Sequence, residues 1–250
     1  MSNLRIYFFV KTFEKQEYAD QFLDGLLYMN TLDYFVRLEE DENSGRGDRY
    51  EGVDSWLQPN EIQLQINGVV LNSADLAGPV SIQKHQHMVK NVFCMHASYI
   101  GGNSPSEFEL IEEFEEALKI PEENISLGKM SVVITNVEEF FNRMKAAAKK
   151  QNVALRSRLV NYYNPGVFHG HFSEEEAPFN KQNKFFHQRE YRIVVNRKNS
   201  ELSAYELNIG SLRDIAFEVS IEALNSSIKI SPLPRSITRS NETQSHPSLA

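Results

Sequence analysis

Two hydrophobic periods, one typical of helices and one typical of strands, alternate along the chain. Large residues at Tyr18, Phe22 and Leu26 recur every four positions, which predicts an amphipathic helix over residues 14–28. Val137–Lys150 shows the same period, with apolar side chains on one side and lysines toward its end. Two shorter helices are predicted, an acidic one at residues 108–118 that is followed by Pro121, and one near Leu212.

Short apolar and aromatic runs predict the strands. Asn67-Gly68 separates two such runs and is a strong signal for a hairpin. Residues 92–97 form a continuous apolar run, as expected of a buried strand. The predicted strands are residues 5–10, 62–66, Val69–Leu71, 92–97, 130–135, 155–163, 205–209 and 227–231. Helices early in the chain with strands throughout predict an α+β fold.

One further strand is predicted at residues 185–195 (Phe-Phe-His-Gln-Arg-Glu-Tyr-Arg-Ile-Val-Val), and it contains polar residues at alternating positions. Aromatic and β-branched residues dominate this segment and favour a strand. Because successive side chains on a strand point to opposite faces, Gln188, Glu190 and Arg192 should share one face. From the pattern alone, these three side chains are best interpreted as the solvated face of an antiparallel sheet.

Composition narrows the class of protein. The chain has 250 residues, of which 41% are hydrophobic and 24% are charged, as is ordinary for a globular protein. The net charge of −8 argues against general coating of nucleic acid and leaves room for a local basic groove. Cys94 is the only cysteine, which excludes an internal disulfide and favours a cytoplasmic location, and no run is long enough to span a membrane. We expect one domain over residues 1–231 and a disordered tail at 232–250, which is rich in Ser, Thr and Pro.

Four stretches, in the same order along the chain, resemble a group of bacterial ADP-ribosyltransferase-like proteins. They are Ile-Tyr-Phe-Phe at 6–9, Phe-Leu-x-Gly-x-Leu-Tyr at 22–28, Val-Phe-Cys-Met-His-Ala-Ser at 92–98 and Gln-x-Glu-Tyr-Arg at 188–192. The resemblance implies a split β-sheet core with flanking helices, NAD as a substrate and transfer of ADP-ribose to a macromolecule. Several proteins of this group are toxins of toxin–antitoxin or anti-phage systems, so it also implies an antitoxin partner.

The resemblance implies roles for single residues as well. In these enzymes the Glu of a Gln-x-Glu pair holds the nicotinamide-ribose hydroxyl of NAD and the Gln orients the acceptor, which implies Glu190 and Gln188 as catalytic residues. Cleavage of the nicotinamide bond develops positive charge on the ribose, and a fixed carboxylate stabilises that charge. The implied NAD contacts are Tyr7 and Lys11 on the opening strand and Ser98 on the third stretch, where His96 is the alternative. Tyr162 or Tyr163 would stack on nicotinamide.

The opening strand departs from the family pattern. Many members carry a His or Arg that grips NAD, and this chain has Phe8 at the matching position. A non-catalytic binding or sensor module on the same fold is therefore the competing hypothesis. A nuclease-type toxin, which would need metal and no NAD, is a third and weaker one.

Arg46-Gly-Asp-Arg-Tyr-Glu-Gly, ending at residue 52, is a second candidate for binding NAD. A planar guanidinium from Arg46 or Arg49 suits the pyrophosphate oxygens, which it can bind through two hydrogen bonds. The alternative is a solvated turn with internal Arg–Asp pairing, because Gly and Asp favour turns.

Histidine pairs and basic clusters give weaker signals. His85/His87 and His169/His171 would each share a face if they lay on strands, yet a closed zinc site needs further Cys or His ligands, so we expect no metal. His169 and His171 are expected on a mobile loop near the active cleft. Basic residues alternate with aromatic ones over residues 181–198, as on surfaces where bases stack beside phosphates, which slightly favours nucleic acid over protein as the acceptor. The alternative for this region is ordinary strand surface.

Overall fold

Strands form most of the regular structure. The computed structural model describes residues 5–41, 47–100 and 111–231. Its helices are α1 (Gln16–Leu23), α2 (Leu32–Asp41), α3 (His85–Met88), α4 (Ile111–Leu118), α5 (Glu122–Ile125) and α6 (Val137–Lys150). Its strands are β1 (Arg5–Phe13), β2 (Leu26–Thr31), β3 (Val53–Leu57), β4 (Leu64–Ile66), β5 (Val69–Leu71), β6 (Val80–Gln83), β7 (Asn91–Ile100), β8 (Met130–Ile134), β9 (Ala154–Leu159), β10 (Asn161–Tyr163), β11 (Gly170–His171), β12 (Asn180–Gln182), β13 (Glu190–Asn196), β14 (Tyr205–Asn208) and β15 (Ala216–Ser220).

One large antiparallel sheet organises the described residues. Its strand order is β14-β2-β7-β1-β8-β15, and β13 joins β7 to β9 on a branch. Smaller sheets are formed by β11-β3-β6, by β10 with β12 and by β4 with β5. The predicted α+β fold is confirmed at this level. None of the helices in these ranges is long and apolar enough to cross a membrane.

The main core lies between one face of the large sheet and helices α1 and α6. Phe9, Phe22, Phe140 and Ile193 are buried in it, and the Phe9 and Tyr191 rings lie 4.9 Å apart. Helix α6 has the bounds that its pattern predicts. The opposite face of β7 and β13 is left for a smaller apolar cluster and for the polar site described below.

Gly25 ends the first helix earlier than the apolar period predicts. Helix α1 stops at Leu23 rather than at residue 28, and the chain continues as β2. Gly25 has φ +98, and a Cβ at this position would lie 2.0 Å from the carbonyl oxygen of Gly210. Only glycine fits such a close backbone contact, so the turn overrides the helical period.

The predicted strand at residues 185–195 is wrong in its first half. Asn183–Gln188 forms a 3₁₀ helix, Arg189 adopts the left-handed conformation with φ 41, and β13 begins at Glu190. The alternation of side chains across a strand applies only from Glu190 onward. Gln188 and Glu190 therefore do not share a strand face.

Other predictions have mixed outcomes. The hairpin is confirmed, since Asn67 and Gly68 both have positive φ, as a type I′ turn requires. The strand at 155–163 is two strands: β9 pairs with β13, the Glu190 N–H then donates to the Tyr162 hydroxyl instead of continuing the ladder, and β10 pairs with β12. The helix near Leu212 and the strand at 227–231 are wrong: a turn precedes β15, and Asn225–Ser227 is a 3₁₀ helix. Residues 108–110 of the acidic helix and the tail at 232–250 lie outside the described residues.

Candidate functional site

The candidate site lies where the central strand β7 loses a neighbour along one edge. Strand β13 pairs with β7 from Asn91 to His96 on one side. On the other side β1 pairs only as far as Val10 opposite His96, and β2 only at Asn91 and Val92. No described strand lies beside β7 between these two pairings, so a gap opens there. The Lys11 ammonium spans part of this gap and donates to the Cys94 carbonyl at 2.8 Å.

A cleft of about 1090 Å³ opens at this gap. Small-molecule sites typically have volumes of about 300–1,000 Å³, so the cleft is large enough for a dinucleotide-sized ligand. Its lining combines buried polar and apolar side chains with exposed tyrosine rings. The polar residues of the lining include Lys11, Glu51, Cys94, His96, Asn124, Lys181, Gln188, Glu190 and Arg192.

Both residues of the Gln-x-Glu pair line this cleft, on either side of the left-handed Arg189. Glu190 is the first residue of β13, and its backbone N–H donates to the Tyr162 hydroxyl at 2.9 Å. The Lys181 ammonium donates to Gln188 Oε1 at 2.9 Å and to Glu190 Oε2 at 3.1 Å. One buried cation thus holds both side chains, although they do not share a strand face.

Four buried charges form the base of the site. Arg192 donates from Nε to Glu190 at 2.6 Å and from both terminal nitrogens to Glu51, at 2.7 and 2.8 Å. The Lys181 ammonium also lies 3.2 Å from Glu51. Two carboxylates therefore balance two cations within the cluster, and the side chains are at most 7% exposed. Paired and hydrogen-bonded charges are the only ones that proteins bury readily.

The cluster fixes the protonation states of its members. Burial opposes ionisation of Glu190, and the charges of Arg192 and Lys181 outweigh it, so that the pKa of Glu190 lies well below its ordinary range. Burial likewise disfavours charged Lys181, but Glu190 and Glu51 raise its pKa above the ordinary value. Burial, with the charge of Glu190 added, raises the pKa of the Cys94 thiol to about 12. The site at neutral pH is therefore a fixed carboxylate beside a neutral thiol.

Glu51 comes from the segment at residues 46–52, which is not the solvated turn of the alternative interpretation. Gly47, Asp48 and Glu51 are buried, and the Tyr50 N–H donates to Asp48 Oδ1 at 2.9 Å. Burial of Asp48 and Glu51 turns the acidic side chains of this segment inward. Arg49 is exposed, with its guanidinium 5.3 Å from the centre of the Tyr50 ring, and does not line the cleft.

The other predicted NAD contacts are scattered. Lys11 lines the cleft, and Tyr162 supports the backbone of Glu190 from outside the lining. Tyr7 and Ser98 lie away from the lining: the Tyr7 ring meets Phe114 edge-on, and the fully buried Ser98 hydroxyl donates to the Leu118 carbonyl. Arg46 lies outside the described residues.

Sequence reasoning missed Glu51 and Lys181 as members of the site and left Arg192 without a role. Arg192 carried a signal, because it follows Glu190 at the strand period. Glu51 carried a weak one, since it stands in a glycine-bounded turn that is too rich in charge for a random loop. Lys181 carried none, because nothing in Asn180-Lys181-Gln182 indicates that all three residues are buried.

Three exposed tyrosines line the outer part of the cleft and were also missed. Tyr18 on α1, Tyr28 on β2 and Tyr34 on α2 are 46%, 53% and 44% exposed. Exposed aromatic rings in a cleft are suited to stack on the planar rings of a ligand.

The histidine pairs are placed differently from their predictions. His85 and His87 lie on the short helix α3, and the buried His87 ring contacts the Gly52 carbonyl. The loop around His169 and His171 is tied down, because β11 pairs with β3 and His171 Nδ1 lies 2.7 Å from the Ser55 hydroxyl. Across residues 5–41, 47–100 and 111–231, no group of three or more His, Cys, Asp or Glu is arranged to hold a metal ion.

The basic and aromatic residues at 181–198 do not form one continuous surface. Lys181 and Arg192 are buried in the cluster, and the Arg189 guanidinium donates to the carbonyls of Tyr99 and Ala117. Phe186 remains 59% exposed beside Tyr162, at 5.5 Å between ring centres. Any nucleic-acid contact in this region would therefore centre on Phe186 and Lys184 rather than on Arg189.

Comparisons with known proteins and structures found no match. No protein-family model matches the chain, no curated protein is similar to it, and no solved structure matches its fold.

Proposed function

We propose that this protein is an NAD-dependent mono-ADP-ribosyltransferase that modifies a macromolecule as a toxin of a bacterial toxin–antitoxin or phage-defence system. The observation that carries the proposal is the position of Gln188 and Glu190 together in a cleft that opens where β1 and β2 diverge along β7. A split sheet of this kind, with a Gln-x-Glu pair beside the split, is what the family resemblance implies. The toxin context and the antitoxin partner rest on the resemblance alone.

Glu190 is suited to the electrostatic role. Its depressed pKa keeps it ionised, and Arg192 and Lys181 hold both carboxylate oxygens in place. A carboxylate has about four acceptor positions, so it can still receive a ribose hydroxyl while these contacts persist. In the reaction the bond between the ribose C1′ and the nicotinamide nitrogen breaks, nicotinamide leaves with the electron pair, and Glu190 stabilises the positive ribose.

NAD would lie along the gap of the sheet. Lys11 is a cation of the cleft wall, and its ammonium suits the pyrophosphate oxygens through charge-assisted hydrogen bonds. The exposed rings of Tyr18, Tyr28 and Tyr34 suit the planar bases. Tyr162 positions Glu190 through its hydroxyl, so its stacking on nicotinamide is a weaker part of the proposal.

The acceptor is proposed to be nucleic acid rather than protein. Phe186 is exposed next to Gln188, the residue that orients the acceptor, and Lys184 lies over the Phe185 ring at 4.7 Å. An exposed ring beside a lysine suits a base and its phosphate.

A second candidate function, a non-catalytic binding module, is favoured by one observation. Both oxygens of Glu190 already accept hydrogen bonds from cations of the same chain. A cluster that is neutral and internally satisfied also serves as a rigid floor for a ligand that is bound and not changed. Under this hypothesis NAD or a related nucleotide binds without loss of nicotinamide.

Labelled NAD separates the two functions. The purified protein is incubated with NAD labelled in the ADP-ribose part, with separate RNA, DNA and protein pools, and both label transfer and nicotinamide release are measured. Transfer should occur with the wild type and with Glu222→Gln, an exposed carboxylate outside the cleft, and should fall with Glu190→Asp, which keeps the charge and withdraws it by one methylene. Binding of NAD by calorimetry without any nicotinamide release would establish the binding module, and absence of binding would refute both.

A further inference from the structure

Two buried polar atoms in the cleft have no hydrogen-bond partner within the described part of the chain, His96 Nε2 and Asn124 Oδ1. His96 is 8% exposed and Asn124 is 5% exposed, and both residues line the cleft. Buried polar atoms in proteins are hydrogen-bonded in the great majority of cases. Two unpartnered ones in a ligand-sized cleft therefore indicate groups that a bound molecule completes.

The fold places His96 next to the proposed reaction centre. His96 on β7 is paired directly with Glu190 on β13. Side chains that are directly opposite on an antiparallel pair lie on one face, with Cβ atoms about 4.5–5.5 Å apart. Helix α5 carries Asn124 to the same place, where its amide donates to the His187 carbonyl at 3.0 Å. His96, Asn124 and the Gln188-x-Glu190 pair thus surround one part of the cleft.

The surroundings of His96 assign its tautomer. Nδ1 lies 3.0 Å from the Gln188 carbonyl oxygen and 2.9 Å from the Asn124 amide nitrogen, and because a carbonyl only accepts, we assign the hydrogen to Nδ1 and its hydrogen bond to the carbonyl. The two hydrogens of the Asn124 amide have acceptors of their own, the carbonyls of His187 and Gln188. Nε2 is then left with a lone pair, and burial together with the charge of Arg189 lowers the pKa of His96 to about 4, so the ring is neutral at physiological pH.

We propose that His96 is a further catalytic residue, whose Nε2 takes the proton of the attacking O–H or N–H group of the acceptor while Asn124 Oδ1 accepts a second hydrogen of that group or of its neighbour. This inference rests on the proposed ADP-ribosyl transfer. The bond between the acceptor atom and C1′ forms as the C1′–nicotinamide bond breaks, nicotinamide leaves with the electron pair, and the acceptor's proton moves to Nε2. The resulting imidazolium is stabilised by the Gln188 carbonyl at Nδ1.

Residue 188 has two roles in this arrangement, one for its side chain and one for its backbone carbonyl. Its side chain, held by Lys181, faces the acceptor, and its backbone carbonyl orients the imidazole that receives the proton. The backbone part of this role survives any substitution at residue 188, whereas the side-chain part does not. Loss of His96 should therefore be more severe than loss of the Gln188 side chain.

Steady-state kinetics with His96→Gln and His96→Ala test the inference. Nicotinamide release from NAD is measured with the RNA, DNA or protein pool that receives most label, and His85→Asn, an exposed histidine outside the cleft, is the matched control. Loss of a positioned base typically lowers the rate about 100- to 10,000-fold, so kcat should fall by that factor while KM for NAD stays within about twofold. Added imidazole should restore part of the rate in His96→Ala, where it can occupy the vacated space, and not in His96→Gln.

Failure of the proposed His96 role and failure of the proposed transferase function would give different results. Folded His96 variants that keep kcat within about threefold of the wild type, or a His96→Ala protein that melts normally and is not rescued by imidazole, would overturn the role of His96 alone. A wild-type protein that releases no nicotinamide would overturn the transferase proposal, and the role of His96 with it. His96→Gln keeps most of the volume, so it gives a result even if His96→Ala does not fold.

Discussion

Replacing Glu190 by Gln should destabilise the fold as well as abolish activity, because it leaves a buried positive charge without a partner. In the wild type, Glu51 and Glu190 balance Lys181 and Arg192 in a cluster whose side chains are at most 7% exposed. Removing one partner of a buried ion pair costs roughly 3–5 kcal/mol. Since domains are stable by only about 5–15 kcal/mol in total, this is a large fraction of the free energy of unfolding. At roughly 2–4 °C per kcal/mol for a chain of this size, Tm should fall by about 6–20 °C.

A double-mutant cycle separates this charge effect from loss of packing. Adding Lys181→Met to Glu190→Gln removes the surplus cation and leaves the Arg192–Glu51 pair intact, so the double variant should recover about 2 kcal/mol or more relative to the sum of the single changes. Urea unfolding at pH 7 gives all four free energies. Glu175→Gln, which breaks the exposed contact with Arg156, is the control and should leave the urea midpoint almost unchanged. An unfolding free energy for Glu190→Gln within about 0.5 kcal/mol of the wild type would refute the reasoning.

Three further predictions follow from the cleft. Gln188→Ala should lower label transfer to the acceptor more than slow hydrolysis of NAD, and equal losses in the two assays would assign Gln188 to the fold or to NAD itself. Lys11→Met should weaken NAD binding by calorimetry about tenfold, because it removes one cation of the cleft wall. Lys145→Met on α6 should not weaken it. His96, with its pKa lowered to about 4, binds a proton more weakly in the folded than in the unfolded state, so it makes stability decline as pH falls from about 6.5 toward 4. The difference in urea unfolding between pH 7 and pH 4.5 should therefore be about 2–3 kcal/mol smaller in His96→Asn than in the wild type, and an unchanged difference would mean that the pKa of His96 is the same in the folded and unfolded states.

The sequence predicts elements well where the period and the local chemistry agree. Helix α6 has its predicted bounds because an Asn136 cap, an apolar stripe and terminal lysines all favour the same helix. The Asn67-Gly68 hairpin forms because only residues that tolerate positive φ permit its turn. The hydrophobic period gives the wrong helix end where a tertiary contact determines it. The apolar stripe of Tyr18, Phe22 and Leu26 continues past Leu23, but the close contact between Gly25 and Gly210 ends the helix there.

The candidate site is predicted only in part, for a related reason. Gln188 and Glu190 are only two positions apart, so a short sequence motif reveals them. Arg192 follows Glu190 after two more positions, the spacing of side chains on one face of a strand. Glu51 is 141 residues from Arg192 along the chain, and no local pattern joins the two. A pairing of this kind is fixed by the topology that carries the segment before β3 over the face of β13. The left-handed Arg189 was missed as well, because arginine gives no signal for positive φ.

The charge cluster itself favours a functional explanation over a purely structural one. Replacing a buried ionic cluster by well-packed apolar residues is often neutral or stabilising, so stability does not require Glu51, Lys181, Glu190 and Arg192. What the cluster gives that apolar residues cannot is a carboxylate that stays ionised and immobile at the wall of a cleft. If that carboxylate only supported the fold, a variant with all four charges replaced by apolar residues would keep both its affinity for NAD and its rate of nicotinamide release. If it stabilises the ribose cation, the same variant would fold and yet release no nicotinamide, and the two measurements on that one protein distinguish the explanations.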